Sequence, residues 1–300
     1  FFAGGHDRDE ALNIAVNELL SGRYPYYPVT YVPGLPHELG LDGNPLSPMP
    51  GELLFALPFT WAGDGSWQTF YWLLVLAIML VHQLKPGVAL IAFWSLLLCS
   101  PAVLNEVVSG GDLLPISIWL LVFTLALTNA VSSHHWLWII LLGIGLSSRI
   151  NFLLILPLIT GELARLYGFR RGLQYGLWVA IVCVVTVLPF YLYDPSGFSP
   201  LHIESILMRF EPVLPNVKFI LPIVSGVLAL LLGSLQIRYG SQRTLLWGCA
   251  LVLAIPVLAV VGFSSIQVGY PEFSYAWYGI GAMIFAWAAA WMPSSNTMPS

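Results

Sequence analysis

Seven stretches, 68–84, 87–104, 113–131, 173–193, 216–236, 244–264 and 276–292, carry one charged residue between them, Lys218. A membrane-crossing helix needs about 20 predominantly apolar residues (range ~17–25), because a rise of ~1.5 Å per residue must cover the hydrocarbon core. Within hydrocarbon each backbone N–H and C=O has to find its partner inside the segment, and an uninterrupted apolar run of this length does that as a helix. The rest of the chain agrees: 58% of its 300 residues are hydrophobic and 9% are charged, with a mean hydropathy of +0.81. Soluble globular domains carry roughly 25% charged residues, so this chain has too little charge to cover a water-facing surface. Its 12 Trp and 13 Tyr suit the headgroup level of a membrane. No basic stripe of the kind that tracks nucleic acid is present. Cys99, Cys183 and Cys249 lie in apolar stretches without metal-ligand spacing and are read as buried thiols, with no disulfide framework.

Residues 136–164 allow two readings. WLWIILLGIGLSS, then Arg149, then INFLLILPLITGEL is either one overlong helix with an arginine at its middle or two short helices that turn near Arg149. The basic connections decide between them. Lys85, then Arg165, Arg170 and Arg171, then Arg238 and Arg243 fall on one side under the positive-inside tendency only if the chain turns at Arg149. The expected fold is therefore an all-α, polytopic transmembrane helical bundle with about nine crossings. The two short helices would each reach roughly 20 Å, so tilt, burial within protein or a turn inside the outer leaflet is expected there. In this topology fourteen of the fifteen acidic residues lie outside and Glu162 alone lies inside. The chain then reads as a single transmembrane domain: an outer loop over 1–67, a bundle over 68–292 and a tail over 293–300. Its opening FFAGG is expected to continue an earlier crossing helix that ends at Phe1 and Phe2.

The long first loop holds the most informative pattern. In HDRDEALNIAVNELLSGRYPYYP, Leu12, Val16 and Leu19 share a helical face and Ser21–Gly22 ends the periodicity. Asp7 and Glu10 fit an acidic capping box, a role that leaves Asp9 unaccounted for. The segment 51–62, GELLFALPFTWA, is too short to cross and reads as an interfacial or re-entrant helix.

DEALNIAVNELLSGRYPYYP, followed by GNPLSPMPGELLFALPF over 43–59, resembles the start of the first outer loop in the GT-C superfamily of polyprenyl-phosphate-sugar-dependent glycosyltransferases. Protein O-mannosyltransferases, aminoarabinose transferases and lipid-phosphate-mannose-using mannosyltransferases belong to that superfamily. The likeness is sharpest over residues 7–60 and continues afterwards as architecture. It implies that Asp9 is the general base, with Glu10 beside it, acting at the outer face of the membrane. It further implies a polyprenyl-phosphate sugar donor, membrane lipid around the site and a hydroxyl acceptor.

Carboxylate chemistry fits such a reaction without the family, because an acceptor hydroxyl must lose its proton as it attacks the anomeric carbon. The departing lipid phosphate needs positive charge or N–H donors. Arg149, in GLSSRINF, is the candidate for that task; its alternatives are a structural pair with Glu106 or Asp112, or a snorkelling side chain at a helix end. Glu106 and Asp112, in LNEVVSGGDLLP, either orient a sugar, hold a divalent cation together with Asp9, or are simply solvated. No spacing is diagnostic of a metal, and no cofactor is assigned. His202 and Arg209, in the 193–212 segment, are further substrate-binding candidates, with Lys218 behind them. Short loops and the lack of added domains suggest a bacterial cytoplasmic membrane. A transporter or lipid-linked-sugar flippase with broken helices is the competing class; a non-catalytic scaffold would leave the patterned, acid-rich loop unexplained.

Overall fold

Prolines and glycines set where the helices start and stop. The computed structural model describes residues 7–26, 46–129, 135–201 and 207–291, with backbone alone for residues 7–10. Every regular element among the described residues is helical. The chain runs through α1 (Asp7–Leu20), α2 (Pro50–Trp61), α3 (Trp67–Gln83), α4 (Pro86–Cys99), α5 (Pro101–Ser109), α6 (Leu113–Asn129) and α7 (His135–Leu146). A 3-10 turn, Ile150–Ile155, leads into α8 (Leu156–Tyr167), followed by α9 (Phe169–Tyr193), α10 (Val217–Tyr239), α11 (Gln242–Val268) and α12 (Ile280–Trp291). Helices α2, α4 and α5 each open on proline, whose missing N–H costs nothing at a first helical position. Helix α1 ends before Ser21–Gly22, with Gly22 left-handed at φ 72°, as the sequence pattern predicts.

Among the described residues four segments are long and apolar enough to cross a membrane: Ile150–Tyr167, Phe169–Tyr193, Val217–Tyr239 and Gln242–Val268. A fifth would be α4 with α5, but the pair is bent by 84°. Helices α3, α6 and α7 and the Ala276–Trp291 segment are apolar and shorter. The single span expected over 87–104 is thus corrected to two helices. Pro101 disfavours helical backbone at the residue before it, and Ser100 is extended at φ −124°, ψ 100°. Its hydroxyl accepts the Val103 N–H at 3.3 Å, which starts α5 in a new direction, and contacts Met283 Sδ at 3.0 Å. Two further expectations change with it. Residues 105–109 are helical where a loop was expected, and Cys99, at the end of α4, is exposed, whereas Cys183 and Cys249 are buried.

The chain does reverse near Arg149. Helix α7 runs alongside α9 in the same direction: His135 stacks on Tyr175 at 5.5 Å, Trp136 meets Trp178 at 5.2 Å, and Gly143 lies against Val182. Helix α8 runs the opposite way, with Ala164 against Gly172 and Thr160 against Gly176. His135 at the start of α7 therefore sits beside Tyr167 at the end of α8, with ring centroids 5.5 Å apart.

These pairings give the molecule two chemically different ends. Gln242 bonds Asn129 at 3.1 Å and Gln236 bonds Glu162 at 2.8 Å, so the end of α6, the α8–α9 turn and the α10–α11 turn lie together. Helices α3 and α6 start side by side, Thr69 donating to the Gly111 carbonyl at 3.3 Å, and run in parallel, with Trp72 on Trp119. Lys85 thus joins Arg165, Arg170, Arg171, Arg238 and Arg243 at one end, with Glu162. Glu52, Asp64, Asp112 and Asp194 lie at the other, where Tyr24 of the α1 layer donates to the Phe190 carbonyl at 2.9 Å.

Close backbone approach holds the bundle together. Gly161 of α8 rests on the Gly233 carbonyl, and a Cβ at Gly233 would lie 2.5 Å from the Pro157 carbonyl oxygen. Apolar side chains gain little by leaving lipid for protein, so small residues and tight packing carry helix association. Gly226, on the same helix, has no neighbour within 4 Å of its Cβ position. Gly233→Ala is expected to cost about 1–3 kcal/mol by overpacking, while Gly226→Ala leaves stability unchanged or raises it by up to ~1 kcal/mol. Thermal unfolding of the two purified variants in one detergent makes the comparison; equal melting would show that the α8–α10 contact is not close.

Candidate functional site: a buried charge cluster under the second helix

The site begins at the chain reversal. Ser147 and Ser148 bend the end of α7, their hydroxyls donating back to the Ile144 carbonyl at 2.8 Å and the Gly145 carbonyl at 2.5 Å. Arg149 follows in extended backbone. The first residues of α2 lie on this turn: Met49 N–H donates to the Ser148 carbonyl at 2.8 Å and Gly51 N–H to the Ser147 carbonyl at 3.1 Å. A helix start leaves its first N–H groups without intrahelical acceptors, and here another segment's carbonyls take two of them. The approach requires glycine at position 51, because a Cβ there would sit 2.7 Å from the Ser147 carbonyl carbon.

That docking brings Glu52 to Arg149. Glu52 Oε2 lies 3.3 Å from Arg149 Nε, and Asp112 Oδ2 is bonded to Arg149 Nη2. Both carboxylates have 0% exposure and Arg149 has 5%. Ions removed from water to this extent are tolerable when paired, and the cluster joins three segments far apart in sequence. Of the readings open for Arg149, the geometry displays the pair with Asp112; Glu52 is the partner that sequence reasoning missed. Its signal was present: a lone carboxylate in the first turn of the otherwise apolar α2.

Asp112 is positioned by its neighbours. Gly110 is left-handed at φ 77°, and a Cβ at Gly111 would collide with the Glu106 carboxyl group. Glu106 turns back to accept the N–H groups of Leu113 at 3.0 Å and Leu114 at 3.3 Å, which caps α6. A carboxylate is favoured there by both the free donors and the helix dipole. Expected as sugar-orienting, metal-binding or solvated, Glu106 is a fully buried cap. The Gly-Gly pair exists to let the acid fold over.

Helix α1 forms a second layer over α2. Leu12, Ala15 and Val16 pack with Leu53, Ala56, Tyr26 and Phe198. Asn13 pins it: its amide donates to Asp64 Oδ1 at 3.0 Å, and its oxygen accepts Gly65 N–H at 2.8 Å and the Thr60 hydroxyl at 3.1 Å. The N-terminal half of α1 therefore lies towards the Trp61 end of α2, while the Arg149 cluster lies under the Pro50 end. The eight helical steps from Glu52 to Thr60 put about 12 Å between these two places. The backbone of Asp9 and Glu10 falls one helical turn before Asn13, at the far end from Arg149. Their side chains, and His202, lie outside the described residues. Arg209 is exposed in the Met208–Phe210 turn, beside Phe210, which packs on Phe263 and Tyr275. Tyr26 is 2% exposed, and its hydroxyl has no hydrogen-bond partner among the described residues; burial, with Tyr24 and Glu52 nearby, pushes its phenol well above the usual range. Among the described residues no three His, Cys, Asp or Glu side chains converge as a metal site.

Among the described residues, fold and site together define a helical protein with four helices, or five counting the bent pair, long and apolar enough to cross a membrane. Comparison with protein-family models, with curated proteins and with solved structures returned no match.

Two outcomes follow from this geometry. Arg149→Ala leaves Glu52 and Asp112 buried without their counter-charge and should cost about 3–5 kcal/mol. Adding Glu52→Gln and Asp112→Asn should recover much of that loss in a detergent melting assay, and no recovery would show that the three do not act as a unit. Burial raises the proton affinity of Asp64, but the Ser66 N–H, the Asn13 amide and the Ser66 hydroxyl outweigh it and hold the carboxyl below its ordinary value. With the folded value below the unfolded one, this stabilisation is complete above about pH 4 and is lost as pH falls through the folded value. Protection of the α1 amides, relative to their intrinsic exchange rates, should therefore fall on acidification below about pH 4, and Asp64→Asn should flatten that response.

Proposed function

We propose that the protein is an inverting glycosyltransferase of the GT-C type, moving a sugar from a polyprenyl-phosphate donor to an acceptor hydroxyl at the outer face of a membrane. The observation that carries this reading is the polarity of the molecule. Six basic residues gather at one end, and a two-helix layer from the acid-rich first loop covers the other. The positive-inside tendency turns the basic end to the cytoplasm and the carboxylates outward. In this reading the shorter apolar helices α3, α6, α7 and Ala276–Trp291 and the bent α4–α5 pair also cross, which with the four long segments makes nine.

In this reading Asp9, with Glu10 beside it, takes the acceptor hydroxyl proton as the oxygen attacks the anomeric carbon. The bond from that carbon to the phosphate oxygen breaks on the opposite face. The electron pair leaves with the lipid phosphate, so the anomeric centre inverts. Arg149 meets the departing charge, a role for which it exchanges a carboxylate of its buried cluster for phosphate. Asp112, freed by that exchange, faces the sugar, and Glu106 holds the 110–112 loop. Arg209 and His202 contact the donor at the lipid boundary. Because Asp9 and Arg149 lie at different ends of α2, this chemistry requires α1 and α2 to shift on substrate binding.

One observation favours a second reading, a transporter or lipid-linked-sugar flippase. The chain is broken twice, by 84° at Ser100 and by the reversal at Arg149 in the buried cluster, and discontinuous helices with buried charge line transport pathways. A transfer assay on purified protein with a panel of polyprenyl-phosphate sugars separates the two. Asp9→Asn is expected to lower turnover by about 10²–10⁴-fold with unchanged melting. Full turnover in Asp9→Asn would remove the base, and movement of intact lipid-linked sugar across proteoliposomes without transfer would replace the enzyme by the transporter.

A further inference from the structure

The end opposite the Arg149 cluster has an unusual charge balance. Among the described residues it holds Lys85, Arg165, Arg170, Arg171, Arg238 and Arg243 against one acid, Glu162. Glu162 is 1% exposed and already engaged, accepting Arg165 at 2.6 and 2.7 Å and Gln236 at 2.8 Å. Arg170, Arg171, Arg238 and Arg243 are exposed and have no ion pair among the described residues. Three of the four also stand where their own helix disfavours them. Arg170 and Arg171 are in the first turn of α9 and Arg243 is in the first turn of α11, and neither turn contains an acid. Cations at the positive end of a helix dipole are destabilising, and a local rule broken twice without internal compensation marks a functional surface.

These arginines are held in place. Helix α8 packs on α9 through Gly172 and Gly176 and on α10 through Gly161 and Gly233. Gln236 bridges Glu162 and the Ser241 carbonyl at 2.8 and 2.9 Å, and a Ser241–Thr244 capping box starts α11. The 168–171 and 238–243 turns therefore both flank the end of α8, the first through α9 and the second through α10. Beside them Phe169, Leu173, Tyr239 and Trp247 are exposed. Guanidinium groups next to exposed rings and aliphatic side chains match a phosphate headgroup with its acyl chains. A soluble polyphosphate would gain nothing from the apolar half of this surface.

We propose that the 168–171 and 238–243 turns form a binding site for the phosphate headgroup of an anionic phospholipid, with Arg170, Arg171, Arg238 and Arg243 as its ligands. Guanidinium forks bind phosphate oxygens bidentately, and a basic surface between helix ends is the form such lipid sites take. The site is independent of the catalytic reading and of the Arg149 cluster. The test uses the full chain, purified in neutral detergent, with phosphatidylglycerol or phosphatidylcholine added and bound lipid counted by native mass spectrometry. Wild type should retain phosphatidylglycerol roughly tenfold or more over phosphatidylcholine, less so at high salt. The Arg170→Gln/Arg171→Gln and Arg238→Gln/Arg243→Gln pairs should each weaken that preference, and the fourfold variant should abolish it. Arg209→Gln/Lys218→Gln, at the opposite end, should leave it intact. The proposal is overturned if wild type shows no preference, if both pairs keep it, or if pyrophosphate raises the melting temperature as much as phosphatidylglycerol does. The paired variants decide the matter even where the fourfold one fails to fold.

Discussion

A guanidinium that cannot reach water organises the acidic end of this protein. Arg149 sits at the reversal between α7 and α8 with Asp112 and Glu52 as its carboxylate partners, all three almost fully removed from solvent. Ions in such surroundings are costly unless their partners are correctly placed, so three chain segments have to arrive together. Helix α2 supplies Glu52 by donating two backbone N–H groups to the reversal, and the α5–α6 turn supplies Asp112 through a Gly-Gly fold held by Glu106. Helix α1 then lies on α2, and the aromatic contacts of Tyr24 and Tyr26 reach the end of α9. The layer that carries the candidate base is thus positioned through the same charge cluster.

The two ends solve different electrostatic problems. At the acidic end Glu52, Glu106, Asp112 and Arg149 face inward, paired or capping a helix. At the basic end one buried acid is neutralised at close range and four arginines are left turned outward. The walls between the ends expose large apolar side chains on α9, α10 and α11 while glycines mark their inner contacts. That inversion of the soluble-protein pattern is what a lipid environment demands, since there is no hydrophobic gain in burying these faces against one another.

The distance between the Asp9-bearing turn and Arg149 bears directly on mechanism. In the proposed reaction, proton abstraction and leaving-group stabilisation serve one anomeric carbon, whereas Glu52 and Thr60, near the two ends of α2, are about 12 Å apart along its axis. Helix α2 is docked through backbone bonds and the Glu52–Arg149 pair, and α1 lies on it through Leu12, Ala15 and Val16 as well as Asn13, so the two form one packed layer.

Much of the plan was legible in the sequence, because it depends on local chemistry. Uncharged runs dictated helices, the spacing of basic connections required a reversal at Arg149, and the face made by Leu12, Val16 and Leu19 is the one α1 buries. Ser21–Gly22 ends that helix, since a left-handed residue is needed there. Pro101 also lay in view, yet the break it causes depends on Ser100 finding Val103 and Met283, contacts that a local reading does not supply. Glu52, Glu106 and Asp112 looked alike as outer-loop acids, and tertiary structure made one a helix cap and two the counter-charges of Arg149. A carboxylate's role is set by which donor or cation reaches it once the chain is packed. Sequence determined that this protein is helical, apolar and polarised in charge; folding alone decided which charges are buried together, because burial is a property of what surrounds a residue and not of the residue itself.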